Sequence, residues 1–369
     1  MHITSVRLVD LRIPLREPFI ISGGEIPERH SVVVELTDEG GRKGYGECPP
    51  FEFPFYSEET LSGARDLIER VLIPKIVDRE FESPEAVDRE LRLGIRGNPF
   101  ARAAVETAAW DLEANRRGTG MAQLLAARLE VAPADRIPCG VALGIPRNRM
   151  LGTLCGWVAE AIDKGYRRVK IKVAPGWDVE PVRAVREVMG GSGLPLTVDA
   201  NGAYEWPEHE ANLRALDEAG LLYIEQPLAP DEIVGHVRLG QTLRTPICLD
   251  ETLRDSRAAS QIIALNGPRV WNVKVHRVGG LTEVSRIHRL ARMYGATLWA
   301  GTMPESGLGS QAALAAAALP LFTYPSDLEP SARWFGPGAD IIELTMSEDG
   351  FMNVPGEAME GRVRKEMLD

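Results

Sequence analysis

The chain has 369 residues, of which 44% are hydrophobic and 26% charged, and its formal net charge is -11 at pH 7. This length suits one (β/α) barrel of about 200 to 250 residues with a second, smaller domain. The acidic balance argues against nucleic acid as a partner, because such partners require basic patches. The sequence has no targeting signal and no apolar run of about 18 residues, so no membrane partner is expected.

The cysteines are scattered along the chain without CxxC spacing. They are Cys48, Cys139, Cys155 and Cys248. This pattern predicts buried, reduced thiols in a cytoplasmic protein.

Residues 1–125 combine strands with helices and are expected to form an α+β unit. Alternation predicts a first strand from His2 to Leu11. A hairpin is predicted to pair residues 31–36 with residues 43–47. The predicted helix caps are Ser57, Ser83 and Asn98.

From residue 126 the pattern changes to strands that alternate with helices, beginning with a strand over Ile137–Gly144. The second strand, Val169–Val173, carries Lys170 and Lys172 on the same face. A strand that is covered on both sides is normally apolar, so these ammonium groups must meet acceptors. The alternative is an edge strand with a solvated lysine face.

Four later strands also end in a charged residue. The four are Asp199, Glu225, Asp250 and Lys274. Successive differences from Lys172 are 27, 26, 25 and 24 residues, which suits one βα unit each. In a closed barrel, all five side chains would meet at one mouth, where barrel enzymes keep their chemistry.

The end of the chain is less regular. A seventh strand is predicted over Thr297–Ala300, and the glycine-rich loop 301–309 leads into a helix over 311–319. This loop either forms simple turns or offers backbone N–H groups to an anionic ligand. Residues 323–369 are expected to return to the first unit, with Ile341–Pro355 as a hairpin.

Three of the strand-end residues, Asp199, Glu225 and Asp250, are carboxylates that repel one another unless a cation lies between them. Ligation by oxygen alone favours Mg²⁺, for which Mn²⁺ can substitute, and the absence of Cys or His at these strand ends disfavours zinc. The alternative is a set of structural salt bridges with the lysines.

Lys172 and Lys274 end strands two and six of eight, so they are expected to face each other across the barrel. That geometry suits a substrate carbon held between two bases. Burial, Lys170 and a metal ion would each favour a neutral lysine. A divalent cation would also stabilise the enediolate that forms when a proton is lost next to a carboxylate.

Over nearly its full length the chain resembles the muconate-lactonizing subgroup of the enolase superfamily. The motifs that carry the resemblance are Lys170-Ile-Lys172, Val198-Asp199-Ala-Asn201, Glu225-Gln-Pro227, Asp250-Glu251 and Asn272-Val-Lys274. Within the subgroup, three further segments resemble the N-succinylamino acid racemase / o-succinylbenzoate synthase family. These are residues 47–59, Arg277-Val-Gly-Gly280 and Glu305-Ser-Gly-Leu-Gly309.

The resemblance implies a modified TIM-type (β/α)7β barrel over residues 126–322 and an α+β capping domain over 1–125, with a mobile loop near 20–28. It implies a small-molecule carboxylate substrate and a cytoplasmic homo-oligomer. Lys172, Lys274 and Lys170 would be catalytic. Metal ligands would be Asp199, Glu225 and Asp250. The substrate would be bound by Asn201, Arg277, Thr302, Met303, Glu305, Ser306 and Tyr56.

Several activities remain open. N-Succinylamino acid racemisation is favoured, with o-succinylbenzoate synthesis as the alternative or a second activity, and muconate cycloisomerase is less favoured. One departure bears on the substrate, because Ala142 stands where the resemblance implies a serine. Arg277 either lies beside the base Lys274 and tunes its charge, or is a surface arginine.

Other classes fit less well. A sugar-acid dehydratase needs a histidine after strand seven, where Trp299-Ala300 stand. A dipeptide epimerase is expected to place paired aspartates after strand eight, whereas the loop of this chain reads Thr302-Met-Pro-Glu305. A non-catalytic barrel is disfavoured by the intact lysines and carboxylates.

Overall fold

The computed structural model describes residues 1–21 and 24–368. The capping domain begins with an antiparallel sheet in the order β3-β2-β1-β4. Its strands are β1 (His2–Ile21), β2 (Gly24–Asp38), β3 (Lys43–Cys48) and β4 (Arg79–Glu80). The tip of the predicted mobile loop, at residues 22 and 23, lies outside the described part of the chain, so the mobility of this loop stays a prediction.

Four helices follow. They are α1 (Leu61–Leu67), α2 (Pro84–Arg92), α3 (Pro99–Arg117) and α4 (Met121–Leu129). Alternation along β2 buries both faces of the sheet: Val32 and Val34 pack among the residues of α3, and Val33 packs on the barrel side. The sheet therefore joins its own helices to the rest of the molecule.

Two of the three predicted helix caps are correct in position. Ser83 caps α2 and Asn98 precedes α3, but α1 is capped by Thr60, not Ser57, since Thr60 Oγ1 accepts from Gly63 N. Asn98 makes no side-chain cap bond. Instead the carboxylate of Glu59 accepts from Phe100 N at 2.8 Å and Ala101 N at 3.0 Å.

The second part of the chain forms a parallel sheet in the order β12-β11-β10-β9-β8-β7-β6. Its strands, with the short β5 before them, are β5 (Arg136–Pro138), β6 (Gly140–Leu143), β7 (Arg168–Lys172), β8 (Leu196–Asp199), β9 (Ile224–Glu225), β10 (Ile247–Leu249), β11 (Val270–Asn272) and β12 (Thr297–Trp299). The eighth barrel position is filled by residues 322–327, through parallel bridges of Phe322 to Leu298 and Ser326 to Cys139. These bridges close the barrel.

Helices alternate with these strands. They are α5 (Leu151–Asp163), α6 (Val179–Met189), α7 (Glu210–Asp217), α8 (Ile233–Thr242), α9 (Ser256–Ala264), α10 (Val275–Val278), α11 (Leu281–Tyr294), α12 (Gly307–Ala317) and α13 (Ser331–Trp334). This architecture confirms the predicted (β/α) barrel with an α+β capping domain.

Two predictions about strand pairing need correction. The segment predicted as one strand, Ile137–Gly144, is divided, and only β6 lies in the barrel. The hairpin predicted over Ile341–Pro355 does not form, because β13 (Phe351–Asn353) pairs antiparallel with β5. β13 therefore pairs with the segment that precedes the first barrel strand and not with a strand of the capping domain.

The C-terminal segment still reaches the capping domain through individual hydrogen bonds. Met359 N donates to Asp111 Oδ1 at 2.9 Å, and Arg7 donates to the carbonyl of Leu368 at 2.9 Å. All four cysteines are free, and three of them are buried. Within the described residues, no helix has the length and apolar character needed to cross a membrane.

Candidate active site

Strand β7 sends three cationic side chains into the barrel at successive depths. Arg168, Lys170 and Lys172 are at alternate positions and so share a face. β7 is hydrogen-bonded between β6 and β8, so it is not an edge strand. Lys172 is the outermost of the three and keeps 34% of its side chain exposed, whereas Lys170 keeps 5%.

Lys170 is surrounded by carboxylates. Its Nζ lies 2.5 Å from Asp327 Oδ2, 3.1 Å from Glu225 Oε2 and 3.6 Å from Asp199 Oδ2. Burial alone would lower the pKa of Lys170, but these three carboxylates outweigh burial and raise it. Lys170 is therefore a fixed positive charge beneath the mouth.

Lys172 lies at the rim beside Asp199 and Asn201. Its Nζ donates to Asp199 Oδ2 at 2.6 Å and to Asn201 Oδ1. Asn201 has a positive φ of 43° and donates through Nδ2 to Glu251 Oε1 at 2.9 Å. This bond fixes the amide so that its oxygen faces the lysine. Asn201 therefore holds a proposed base directly, while its predicted contact with substrate stays a prediction.

The strand-end carboxylates are positioned by buried amides. Asn272 Nδ2 donates to Glu225 Oε1 at 2.7 Å. Gln226 Oε1 accepts from Asp250 N at 3.0 Å and Thr252 N at 3.1 Å, which fixes the end of β10. Sequence reasoning missed both amides, although each is adjacent to or near a predicted ligand in the motifs Glu225-Gln-Pro227 and Asn272-Val-Lys274.

The mouth carries carboxylate oxygens that accept no hydrogen bond. They are Glu225 Oε2, Asp250 Oδ2 and Glu251 Oε2. Lys170 and Lys274 lie 3.1 Å and 2.9 Å from the first two as ion pairs, without hydrogen-bond geometry. Burial, helped by Asp199, raises the pKa of Glu225, and burial also raises the pKa of Glu251. Oxygens in this state fit a hard divalent cation.

In the described ranges 1–21 and 24–368, no group of three or more His, Cys, Asp or Glu side chains is arranged as a formed metal site. The contacts of the carboxylates explain why they do not form a metal site. Asp199 accepts from Lys172, and Asp250 accepts from Arg277 Nη1. The donor set is chemically suitable for a divalent cation, but these carboxylates are engaged by cationic side chains.

Lys274 follows β11 and lies under the capping domain. Its Nζ is 2.9 Å from Asp250 Oδ2, donates to Tyr56 Oη at 2.8 Å, and lies 4.5 Å from the centre of the Tyr56 ring. Burial lowers the pKa of Lys274, but Tyr56 and Glu251 raise it above its ordinary value. Burial alone therefore does not make this lysine neutral, because the negative groups around it have the larger effect. Its charge state with a cation bound stays a prediction.

Arg277 is buried and not on the surface. Besides Asp250, its guanidinium donates to the carbonyl of Asn272 at 2.8 Å and to Tyr56 Oη at 3.4 Å. Arg277 therefore lies beside the base and positions Asp250. Its two terminal nitrogens are used by the protein, whereas Nε has no partner, and its predicted contact with substrate stays a prediction.

The residues of the loop after β12 make different contacts. Thr302 Oγ1 donates to the carbonyl of Asp327 at 3.1 Å, and Met303 is buried in the capping-domain core. Glu305 is buried and accepts from Met303 N at 2.5 Å. Contact of these three with substrate stays a prediction.

Ser306 requires a correction. It is fully buried, its Oγ caps α12 by accepting from Leu308 N at 3.2 Å, and it donates to Glu47 Oε2. A hydroxyl that is used on both sides by the protein is not available to a substrate. The glycine-rich loop thus serves to begin α12 against the capping domain.

Sequence reasoning also missed the acidic end of the eighth barrel position, where Asp327 and Glu329 stand. The alternation Ser326-Asp327-Leu328-Glu329 was a usable signal, because it gives an inward carboxylate at a strand end.

The loop Thr302–Glu305 follows strand seven, since it comes directly after β12. Its lack of paired aspartates therefore says nothing about the residues after strand eight, so the use of this loop as an argument against a dipeptide epimerase was misplaced.

Sequence models of two families match the chain. The one described as Enolase C-terminal domain-like matches residues 156–358, and the one described as Mandelate racemase / muconate lactonizing enzyme, N-terminal domain, matches residues 3–126. The chain is 40% identical over 356 residues to an N-succinylamino acid racemase from Thermus thermophilus, covering 96% of this chain and 93% of that protein.

Two further relatives agree. An o-succinylbenzoate synthase from Geobacillus stearothermophilus is 39% identical over 356 residues, covering 96% of this chain and 92% of that protein. A crystal structure of an enolase-superfamily member from Listeria innocua has a TM-score of 0.92 at 34% identity, covering 100% of this chain and 96% of that one. The chain belongs to the N-succinylamino acid racemase / o-succinylbenzoate synthase family, in the muconate-lactonizing subgroup of the enolase superfamily.

Proposed function

We propose that the protein is a Mg²⁺-dependent racemase of N-acylated amino acids, with N-succinylamino acids as its substrates. The observation that supports this most strongly is the placement of two lysines. Lys172 ends β7 and Lys274 follows β11, four strands further round an eight-position barrel, so they approach the mouth from opposite sides. Each is held by a different carboxylate, at 2.6 Å and 2.9 Å.

Asp199, Glu225 and Asp250 would hold the cation. The orphaned oxygens of Glu225 and Asp250 and the oxygen-only donor set support this assignment. When bound there, Mg²⁺ would neutralise Glu225, one of the groups that raise the pKa of Lys274, and would stabilise negative charge on the substrate's carboxylate.

The chain's own residues then have different roles in the proposed reaction. One lysine takes the α-proton from one face of the substrate, and the other returns a proton to the opposite face. Lys170 stays cationic below the mouth and favours the enediolate electrostatically. Tyr56 covers Lys274 from the capping domain and helps to keep water away from it. Reversal of these roles converts the other enantiomer.

A second candidate is o-succinylbenzoate synthesis, the activity for which several relatives are named, including that from Geobacillus stearothermophilus. One base suffices for this dehydration, and Lys274 would remain cationic beside the intermediate. The raised pKa of Lys274 favours that role. We therefore propose that both activities be sought, with racemisation as the principal one.

The discriminating experiment is to assay the purified protein with Mg²⁺ on both substrate classes. These are an N-succinylamino acid, followed by optical rotation, and the cyclohexadiene acid that yields o-succinylbenzoate, followed by absorbance. Racemisation is the expected result. A protein that dehydrates the second substrate and does not racemise the first would overturn the principal assignment and leave the alternative.

We further propose that the protein is cytoplasmic and forms a homo-oligomer. The free cysteines support the first proposal. Sedimentation of the purified protein tests the second, and a monomer across the working concentration range would contradict it.

A further inference from the structure

One segment of the capping domain, residues 49–60, reaches the mouth although it forms no helix or strand. We call it the covering segment. Its Tyr56 accepts a hydrogen bond from Lys274 Nζ at 2.8 Å. Two of its aromatic side chains are exposed, Phe53 by 69% and Phe55 by 39%. A segment that leaves large apolar side chains exposed is weakly held by its own burial, so contacts from elsewhere in the chain must help to place Tyr56.

Arg29, on β2, contacts the covering segment at two points. Its guanidinium donates from Nη2 to the carbonyl of Pro49, and its central carbon lies 4.7 Å from the centre of the Phe51 ring. The centre of the Phe51 ring lies in turn 4.6 Å from that of Phe55, which directly precedes Tyr56. A continuous path of contacts therefore runs from the guanidinium to the neighbour of Tyr56.

The same guanidinium also contacts the barrel. Its Nε donates to the carbonyl of Pro304 at 2.9 Å, in the loop after β12. The preceding residue of that loop, Met303, is buried in the same hydrophobic cluster as Phe51. Arg29 is itself only 3% exposed. One buried side chain thus ties the covering segment of the capping domain to a loop of the barrel.

We propose that Arg29 is a positioning residue for the reaction, which holds the Tyr56 hydroxyl against Lys274 by joining the covering segment to the loop after β12. This inference rests on the proposed racemase function, in which Lys274 serves one face of the substrate carbon. The direction of Lys274 Nζ depends on where the hydroxyl is held, and a misplacement of about 1 Å can lower a rate strongly. Lys172 is held by other partners, so its proton transfer should change little.

The first test is α-proton exchange in deuterium oxide, followed separately for the two enantiomers of an N-succinylamino acid. Lys274→Ala identifies the enantiomer that depends on Lys274. Arg29→Met removes the donors and should slow exchange of that enantiomer by about tenfold or more, and exchange of the other by less than about twofold. Arg70→Met removes an arginine whose side chain is 75% exposed and should change neither rate. Equal losses for both enantiomers in Arg29→Met would overturn the proposal.

A double-variant cycle tests whether Arg29 acts through Tyr56. Tyr56→Phe removes the hydroxyl that Lys274 contacts, so adding Arg29→Met should increase the loss by less than about threefold. Losses that multiply would show that the two residues act independently and would overturn the proposal.

Arg29→Lys covers the case in which Arg29→Met does not fold. It keeps the positive charge beside Phe51, but one nitrogen replaces the planar group that serves two carbonyls. The same enantiomer should be affected, by a smaller factor. Exchange of both enantiomers at the wild-type rate in Arg29→Lys would count against the proposal.

Limited digestion with chymotrypsin separates this inference from the proposed function, because it requires no activity. Phe55 and Tyr56 offer cleavage positions in the covering segment. Arg29→Met should be cut there about threefold faster or more than the wild type and Arg70→Met, since the segment is less firmly held. Faster cleavage of a protein whose wild type exchanges neither enantiomer retains the anchoring by Arg29 and loses the racemase assignment. Unchanged cleavage overturns the anchoring.

Discussion

At the scale of single residues, Arg277 shows how a side chain that pairs with the groups around a base can influence the reaction. It holds Asp250 and Tyr56, which are the two groups that contact Lys274 Nζ. Removal of the guanidinium leaves Asp250 paired with Lys274 alone and fixes the lysine more firmly as a cation. A racemase base must alternate between charge states, whereas a synthase can keep this lysine charged.

We therefore expect Arg277→Gln to slow racemisation by about tenfold to a hundredfold, the range for losing a charged hydrogen bond, and to slow dehydration less. The comparison requires both assays on one preparation. Arg277→Lys keeps a positive charge and should recover part of the racemase activity. Equal losses in the two reactions would show that Arg277 has no reaction-specific role.

The strand-end carboxylates give a second prediction at this scale. Asp199→Asn, Glu225→Gln and Asp250→Asn each remove one anionic ligand and should raise the Mg²⁺ concentration needed for half-maximal activity by about tenfold or more. Dialysis of the wild type against EDTA should abolish activity until Mg²⁺ or Mn²⁺ is restored. The exposed Glu187→Gln on α6 serves as a control. Full activity of the chelated wild type would contradict the metal assignment.

At the scale of elements, carboxylates of the capping domain accept hydrogen bonds from the N-terminal backbone N–H groups of two barrel helices. Glu47 on β3 accepts from Ser306 N at 3.2 Å and Gly309 N at 2.9 Å, at the start of α12. Glu106 on α3 accepts from Leu281 N at 2.8 Å, at the start of α11. Gly280 permits the second approach, because it has a φ of 110° and an added Cβ would collide with Glu106 Oε2.

Replacement of the first of these carboxylates should weaken the junction between the domains. We expect Glu47→Gln to lower the free energy of unfolding by about 2 kcal/mol, since a neutral amide accepts fewer bonds and loses the attraction of the helix dipole. Urea titration measures the change, with Glu187→Gln as the exposed control. A loss equal to that of the control would show that the cap contributes little.

A buried histidine on α8 gives the expected dependence on pH. His236 Nδ1 donates to the carbonyl of Glu232 at 2.8 Å, and Nε2 accepts from Leu228 N at 3.2 Å, so the ring is neutral in the fold. Burial lowers the pKa of His236 from 6.5 to about 4. The unfolded chain therefore binds a proton at a pH where the folded chain does not, and stability is lost as pH falls from about 6.5 towards about 4.

The resulting prediction concerns the slope of stability with pH. Between about pH 7 and about pH 5, His236 should account for about 2 kcal/mol of lost unfolding free energy. His236→Gln should be less stable than the wild type at the higher pH and should lose less on acidification. Parallel curves for the two proteins would mean that His236 is not the titrating group.

At the scale of the whole molecule, the sequence was most informative where a charged residue ends or closely follows five successive barrel strands. The spacing of Lys172, Asp199, Glu225, Asp250 and Lys274 predicted both the barrel and the residues at its mouth, because a parallel strand has few reasons to end in a charge. The eighth barrel position was missed because residues 322–327 pair only through isolated bridges. A short segment of this kind has too little periodicity to detect.

Other misjudgements about the site come from contact between parts of the chain that are distant in sequence. Ser306 was expected to face substrate, but Glu47 is 259 residues away in the chain and takes its hydroxyl. The charge state of Lys274 depends on Tyr56, 218 residues away. Local patterns do not contain such contacts, so they predicted the identity of the site's residues better than the role of each.

The central claim is that two lysines act on opposite faces of one carbon, and α-proton exchange in deuterium oxide tests it most directly. The wild type should exchange both enantiomers of an N-succinylamino acid. Lys172→Ala should lose exchange of one enantiomer and Lys274→Ala that of the other, each by about a hundredfold or more, as expected for removal of a general base. Equal exchange of both enantiomers by either single variant would contradict the account.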